Sequence, residues 1–193
     1  MLQDIRQTAP SSYFQIDNAT KENGFTMPSD ILTCSLLRTL AAAKPNAKFL
    51  ELGTGTGLST AWILDGMDSN STLISIDNDP VLLQIASNYL DEDQRLTLVE
   101  TDGEDWVLAN KGAKFDFIFA DTWHGKYLML DEVLDMISPG GFYIVDDMIP
   151  QENWPDGHHQ KAIKFVDYLD TRSDLFVTKQ DWATGIIVAV KRV

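Results

Sequence analysis

The sequence predicts an α/β fold with a mostly parallel sheet covered by helices on both faces. From Lys48 onward, short apolar runs alternate with helix-like segments at regular spacing, which is typical of stacked β-α-β units. A glycine-rich turn separates the first apolar run from the helix-like segment that follows it. The last two apolar runs are joined by a short link, which predicts an antiparallel hairpin at one edge of the sheet.

Five strands are predicted where the apolar runs are nearly continuous. They are KFLELG (48–53), STLISID (71–77), RLTLVE (95–100), FDFIFAD (115–121) and GFYIVDD (141–147). Helices are predicted over 57–67, 80–90, 126–137 and 159–170, and the hairpin strands over 174–180 and 184–192. Four of the five strands end on an acidic residue. Ligands of parallel sheets bind beyond the carboxyl ends of the strands, so a site is expected at these acidic ends.

The chain length favours a single domain over residues 1–193. With 193 residues, 44% of them hydrophobic, the sequence is long enough for one well-buried core. The first 25 residues are polar and show no clear period. We expect them to form an N-terminal arm or a partial cap that contributes little to the chemistry.

The charge balance argues against a nucleic-acid partner or a membrane surface. The chain has 29 acidic and 15 basic side chains, a net charge of -14, and no basic run. It also has no apolar stretch of the ~18 residues that a membrane span requires and no signal-like start. We therefore expect a cytoplasmic protein acting on a small molecule. The lone Cys34 is expected to be a packed helical thiol.

The strongest local motif is ELGTGTG (51–57), placed between a predicted strand and a predicted helix. Gly53 can turn tightly, and Gly55 lets the backbone approach a ligand closely. The helix that follows offers free N–H groups to an anion, with Ser59 as a further donor. A simple turn with no ligand is the alternative interpretation of the same glycines.

An aspartate follows this motif at the spacing of a ribose-binding residue. Asp77 ends the next predicted strand, 24 positions after Gly53, where a carboxylate accepts hydrogen bonds from both ribose hydroxyls. The glycine motif and Asp77 together indicate an adenosine-type cofactor. NAD would give the same geometry, but dinucleotide folds place a third glycine where Leu58 stands. Asp102 is predicted either to bind the adenine amino group or to cap the next helix.

With these residues in place, the sequence resembles the class I S-adenosylmethionine-dependent methyltransferases over about residues 27 to 193. Within that class it is similar to the catechol and caffeoyl-coenzyme A O-methyltransferase group. FADTWHGKY (119–127) is similar to the group's strand-four motif, an aspartate followed after two residues by a lysine. GGFYIVDD (140–147) is similar to its strand-five motif ending in Asp-Asn. The resemblance implies a Rossmann-like, seven-stranded sheet and S-adenosyl-L-methionine as cofactor.

The resemblance also implies a divalent metal site and a catalytic base. By position, Asp121, Asp146 and Asp147 would be ligands of Mg²⁺, although the group's Asn falls on Asp147 and its lysine on His124. His124 is the leading candidate for the base, with Lys126 as the alternative. Without a metal, Asp121 would contact the cofactor or cap a helix, and the other two would cap a loop or bind substrate.

The residues predicted to contact the cofactor come from the glycine motif and from the strand ends beside it. They are Glu51, Gly53, Thr54, Gly55, Gly57, Ser59, Asp77, Asn78, Asp102, Asp121 and Trp123. For Trp123, packing in the core is the alternative. His158 and His159 lie on the ligand side, but in a segment (148–160) predicted to be a lid or a plain connection with exposed histidines.

Methyl transfer from S-adenosylmethionine to an oxygen of a small molecule is therefore the expected function, with a metal as a possible aid. Most of the rate should come from positioning the two reactants. Metal-independent transfer to nitrogen or another atom is one alternative, because a fold does not dictate its acceptor. A non-catalytic module that binds an adenosine ligand is another, and NAD-dependent oxidoreduction is the least favoured. The resemblance also implies a homodimer.

Overall fold

The computed structural model describes residues 8–151 and 154–193 and arranges them as one sheet with helices on both faces. The strands are β1 (Lys48–Leu52), β2 (Thr72–Asp77), β3 (Leu96–Glu100), β4 (Phe115–Ala120), β5 (Ile137–Val145), β6 (Leu175–Gln180) and β7 (Ile186–Lys191). The helices are α1 (Tyr13–Asn23), α2 (Ile31–Ala42), α3 (Leu58–Gly66), α4 (Pro80–Leu90), α5 (Gly103–Ala109), α6 (Leu130–Asp135) and α7 (His158–Thr171). Within the described ranges, no helix has the length and apolar content that a membrane crossing requires.

The sheet has the topology that the sequence predicts. Its seven strands lie in the order β3-β2-β1-β4-β5-β7-β6. Strands β1 to β5 are parallel to their neighbours, whereas β7 pairs antiparallel with both β5 and β6. The predicted fold class and the C-terminal hairpin are therefore confirmed.

The register of the parallel strands brings their carboxyl ends to one level. Leu52 of β1 pairs with Ile76 of β2 and with Ala120 of β4, which in turn pairs with Val145 of β5. The next residue of each strand is Gly53, Asp77, Asp121 and Asp146, respectively. The turn glycine and three carboxylates thus lie side by side along one edge.

Two apolar clusters hold the helices against the sheet. Ile16, Leu37 and Trp62 from α1, α2 and α3 are fully buried on one face. Residues from α5, α6 and α7 pack on the other face, with Leu134 and Leu169 fully buried. Cys34 lies in α2 within the first cluster, so the packed helical thiol is confirmed.

The helix predicted over 126–137 is wrong in both of its bounds. Residues before Leu130 form a compact turn, in which the carbonyl of Trp123 accepts from the N–H groups of Tyr127 and Leu128. Met129 then adopts φ 53°, which interrupts helical geometry. Only α6 follows, and β5 begins already at Ile137.

The expectation that the N-terminal segment lacks a helical period is also wrong. Tyr13, Ile16 and Thr20 recur at helical spacing and are buried on the inner side of α1. The helix ends at Gly24, whose φ of 81° suits a left-handed cap. Residues 1–7 of the predicted arm lie outside the described ranges.

We expect Ile16→Ala to lower the free energy of unfolding by about 3 kcal/mol, because it leaves a cavity under α1. The matched control is Phe14→Ala, two positions earlier in the same helix, where the side chain is 53% exposed. The control should lose less than about 1 kcal/mol. Urea denaturation followed by circular dichroism measures both. Equal losses would show that α1 is not packed as described.

Candidate active site

The three glycines of the turn after β1 serve different purposes. Gly53 has φ 100°, and a Cβ there would lie 2.7 Å from the carbonyl oxygen of Asp121, so β1 and β4 can approach only with glycine. Gly55 faces the ring of Phe25. A Cβ on Gly57 would meet Ala86 of α4 at 2.9 Å. Gly57 therefore permits the packing of α3 against α4 rather than contact with a ligand.

Asp77 is fixed at the end of β2 by two backbone donors. Its carboxylate accepts from the N–H of Gly55 at 2.8 Å and from the N–H of Asp79 at 3.0 Å. These bonds tie the glycine turn to the acid that was predicted to bind ribose. They leave further acceptor positions on both oxygens for a ligand.

A single cavity of about 850 Å³ connects the glycine turn with the ends of β4 and β5. Most of the predicted site residues line it, namely Gly53, Thr54, Gly55, Ser59, Asp77, Asn78, Asp121, Trp123, His124, Lys126 and Asp147. Glu51, Gly57, Asp102 and Asp146 do not form part of its wall. Trp123 is 43% exposed in this wall, so the alternative of core packing is wrong.

Glu51 lies behind the cavity wall among hydroxyl groups. It is fully buried, and its carboxylate accepts from Thr60 at 2.5 Å and from Ser75 at 2.6 Å. Burial raises the pKa of Glu51 to about 7, although hydrogen bonds from Ser59, Ser75 and Thr60 partly oppose the rise. The acid of the glycine motif is therefore a half-protonated internal group near neutral pH.

The three aspartates predicted to bind a metal do lie together. Carboxylate oxygens of Asp121, Asp146 and Asp147 come within 4.8 Å of one another. The Nζ atom of Lys126 lies 3.5 Å from Asp121 and 3.4 Å from Asp146, and it donates to the backbone oxygen of Asp146 at 3.1 Å. Lys126 is only 6% exposed. The cluster therefore consists of a buried ammonium paired with the buried Asp146 and the partly exposed Asp121, with the partly exposed Asp147 beside them.

The ionisation of this cluster follows from burial and mutual charge. Burial lowers the pKa of Lys126, but attraction by Asp146, Asp121 and Asp147 outweighs it and raises the pKa to about 12. Burial and repulsion by Asp121 raise the pKa of Asp146 against the attraction of Lys126. Asp147 also has a raised pKa, chiefly through burial. Lys126 thus stays charged across the physiological range.

Three carboxylates are a donor set that Mg²⁺ accepts, but Lys126 changes the fit. A divalent ion held by Asp121 and Asp146 would share their oxygens with a buried ammonium that already lies within 3.5 Å of both. Two cations at one pair of carboxylates repel each other strongly in an interior of low dielectric. The residues present do not fit a divalent metal with Lys126 in place, and no reaction step is assigned to one.

His124 lies apart from these carboxylates. Its Nε2 is 3.8 Å from Asp102, at the end of β3. Its ring packs on Gly103, where a Cβ would lie 2.5 Å from Nδ1. Asp102 accepts from the N–H of Glu104 at 2.8 Å, so its interpretation as a helix cap is confirmed. The contact of Asp102 with adenine stays a prediction.

His158 has contacts that the sequence did not reveal. It begins α7, and its Nε2 lies 3.2 Å from the hydroxyl of Tyr127. Its ring lies 4.5 Å from the ring of Trp154, and all three side chains line the cavity. Burial lowers the pKa of His158, and repulsion by Lys161 and Lys126 lowers it further. His159 is exposed, as expected.

Residues 23–29 also form part of the cavity wall, so the end of α1 and the segment after it belong to the site. The hydroxyl of Ser29 donates to Asp121 at 2.8 Å. Thr20 donates to Thr56 of the glycine turn at 2.7 Å. No motif marks these residues, because they reach the site only through the packing of α1 on the sheet.

Comparison with known families now places the chain. A family model described as "Methyltransferase domain" matches residues 50–148, just over half of the 193 residues. The chain belongs to this methyltransferase family. The matched range covers the glycine turn, Asp77 and the whole acidic cluster. The resemblance to methyltransferases that the motifs indicated is therefore confirmed.

Solved structures with the fold of this methyltransferase include two O-methyltransferases with a bound ligand. TomG from Streptomyces achromogenes, in complex with SAM, is 21% identical with a TM-score of 0.82, over 95% of this chain and 90% of that chain. An O-methyltransferase from Bacillus cereus, in complex with SAH, is 18% identical with a TM-score of 0.82, over 100% and 93%. At these identities the likeness shows the fold.

The curated relatives of this methyltransferase align over shorter stretches. A protein of Mycobacterium leprae named "Putative O-methyltransferase MLBr01075" is 33% identical over 92 residues, 46% of this chain and 40% of its own length. A relative from Mycobacterium avium with the same kind of name is 28% identical over 63% of this chain and 56% of its own length. The chain thus spans about half the length of the curated relatives it matches.

Glu51 gives this methyltransferase a pH dependence of stability that can be measured. Because its folded pKa is raised from 4.5 to about 7, folding loses about 3 kcal/mol of stability between these values as pH rises. Glu51→Gln removes the charge and keeps an acceptor for the hydroxyls. The stability of the variant relative to wild type should therefore increase across this window.

Urea denaturation at a series of pH values from 4.5 to 8 measures that difference. Glu22→Gln, at an exposed position of α1, controls for the amide substitution and should show no such trend. A difference between Glu51→Gln and wild type that does not change with pH would mean that Glu51 is ionised throughout.

Proposed function

We propose that this chain transfers the methyl group of S-adenosylmethionine to an oxygen atom of a small molecule. The observation that carries the proposal is the continuity of the cavity. It extends from the glycine turn and Asp77, which suit an adenosine ligand, to the polar cluster at the ends of β4 and β5. Membership of a methyltransferase family and neighbours solved with SAM and SAH support the same assignment.

The cofactor half of the cavity is assigned from the geometry of β1 and β2. The carboxylate of Asp77, already oriented by two backbone donors, accepts from the ribose hydroxyls. The N–H groups of Gly53, Thr54 and Gly55 already donate within the protein. Carbonyl oxygens of this turn and the hydroxyl oxygen of Ser59 are therefore assigned to accept from the ammonium of the methionine portion. Asn78 and Asp102 lie towards the adenine. When bound, S-adenosylmethionine supplies an electrophilic methyl group.

The acceptor half lies between Trp123, Tyr127 and Trp154, beside Asp147. Aromatic walls exclude water and orient an acceptor at low entropic cost. Asp147 lies in the left-handed region with φ 54°, which for a non-glycine residue is a strained conformation that points to a functional role. An acceptor hydroxyl placed there would lie next to the cofactor half of the same cavity.

His158 is the residue we assign to receive the acceptor proton. Its lowered pKa keeps the imidazole neutral near pH 7. Because Nε2 pairs with the Tyr127 hydroxyl, the acceptor proton passes to that hydroxyl as the hydroxyl gives its own proton to Nε2. His124, the base predicted from the sequence, lies beside Asp102 at the adenine end. Lys126 is held as an ammonium by its carboxylate neighbours and has no lone pair to accept a proton.

Calorimetric titration with S-adenosylhomocysteine tests the cofactor site. Asp77→Asn should weaken binding on the order of 100-fold, because the amide lacks the charge that strengthens the bonds to two ribose hydroxyls. Asp91→Asn, an exposed position outside this cavity, should bind like wild type. Failure of wild type to bind S-adenosylhomocysteine would refute the proposed function.

Two histidine variants identify the base. Mass spectrometry of the products from a panel of hydroxylated small molecules first finds an acceptor. His158→Gln should then lower kcat about 100-fold and leave S-adenosylhomocysteine affinity within about 2-fold of wild type. His124→Gln is the matched control and should retain kcat. Loss of kcat only in His124→Gln would restore His124 as the base.

The panel also separates catalysis from binding alone. Methylation on nitrogen would replace the oxygen assignment. Tight S-adenosylhomocysteine binding with no methylated product across the panel would favour the non-catalytic binding module.

A further inference from the structure

We propose that the ammonium of Lys126 takes the position of a divalent cation in this site, so that methyl transfer is independent of metal. The inference rests on the proposed function, since it concerns the same cavity. It starts from an arrangement that the motif alone does not predict. The lysine lies five residues after Asp121, beyond the position that the related motif reserves for it, yet its Nζ reaches the strand ends.

The ammonium of Lys126 has as many acceptors as it has donors. Its Nζ donates to the backbone oxygen of Asp146 at 3.1 Å and to the carboxylate of Asp146 at 3.4 Å, and it forms an ion pair with the carboxylate of Asp121 at 3.5 Å. The other carboxylate oxygen of Asp121 accepts from Ser29. The protein itself therefore supplies both the ligands and the cation.

The backbone holds Lys126 in this position. The N–H of Lys126 donates to the carbonyl of Trp123 at 3.2 Å within the compact turn after β4. Gly125 lies so close to the sheet that a Cβ would be 2.8 Å from Leu52, and its carbonyl accepts from the buried hydroxyl of Tyr143. The turn is thus fastened to β1 and β5 directly before the lysine.

Displacing the ammonium would be costly. The side chain of Lys126 is 7% exposed, and those of Asp121 and Asp146 are 16% and 2% exposed. Separating one partner from a buried pair leaves an uncompensated charge in the interior. A divalent ion and the ammonium of Lys126 are therefore alternative cations for the position beside Asp121 and Asp146. In this chain the ammonium of Lys126 occupies it.

A lysine in place of a metal changes which acceptors the site requires. A metal with open positions can hold two adjacent oxygens of one acceptor. The ammonium of Lys126 is already engaged by Asp146 and Asp121, so it does not offer two open positions to such a pair. A single hydroxyl should therefore suffice, with no second oxygen beside it.

Binding of Mn²⁺ tests the inference in a way that does not depend on activity. We compare wild type, Lys126→Met and Lys161→Met by electron paramagnetic resonance of free Mn²⁺ and by thermal unfolding. Lys161 is the matched control, because its ammonium lies over the Trp123 ring at 3.9 Å, near the same cavity. Both variants lose one positive charge, but only Lys126→Met leaves Asp121 and Asp146 without their ammonium.

Wild type and Lys161→Met should leave Mn²⁺ free and show no shift in melting temperature. Lys126→Met should melt at a lower temperature without metal, bind Mn²⁺ and recover part of that loss. Adding Asp146→Asn to Lys126→Met should abolish the binding. Mn²⁺ binding by wild type that Asp121→Asn removes, or no Mn²⁺ binding by folded Lys126→Met, would overturn the inference.

Wild type alone gives a second test if Lys126→Met does not fold. Its rate of methyl transfer to an acceptor with one hydroxyl should be the same within about 2-fold in Mg²⁺ and in chelator. A rate that requires Mg²⁺ would overturn the inference. S-adenosylhomocysteine binding to wild type is measured separately, so failure of the proposed function is recognised independently.

Discussion

The crowding of carboxylates at the carboxyl ends of the parallel strands is the constraint on which the rest of the site depends. The register places Asp77, Asp121 and Asp146 at one level beside Gly53. Glu51 is buried two residues earlier, within β1. Placing a carboxylate in a protein interior is costly unless hydrogen bonds or a cation compensate its charge. Each of these four carboxylates has its own compensating partners, and the local sequence supplies them.

The carboxylates are compensated in three different ways, and their charge states differ accordingly. Burial raises the pKa of Glu51 and favours its neutral form, and the surrounding hydroxyl groups hydrogen-bond its carboxylate, so it is buried without a cation. Backbone N–H groups orient Asp77 and leave its charge available to a ligand. The ammonium of Lys126 lies within 3.5 Å of both Asp121 and Asp146 and offsets one of their two negative charges. The cavity consequently presents the charge of Asp77 at β2, whereas Lys126 offsets part of the negative charge at β4 and β5, which is where an acceptor must lose a proton.

The sequence predicted those features of the site that depend on residues close together in the chain. Apolar runs, the glycine turn and the position of Asp77 all follow from neighbours within one β-α-β unit, and the structure places them as expected. The placement of Lys126 rather than His124 beside the acidic cluster was beyond such reasoning. It depends on Gly125 and Met129, whose positive φ angles turn the chain back on itself where the pattern indicated a helix. The contribution of residues 23–29 depends on long-range packing of α1, which no local signal encodes.

The two parts of the site are therefore free to vary independently. The sheet edge fixes charge and cofactor geometry, because any shift of register would separate Gly53 from Asp121. The outer walls come from the residues around Phe25 and Trp154, and the hydroxyl of Ser29 joins the first of these groups to Asp121. Side chains there can change without disturbing the compensated carboxylates. Acceptor choice is expected to be set by these outer walls, whereas the chemistry that any acceptor meets is set by the strand ends beneath them.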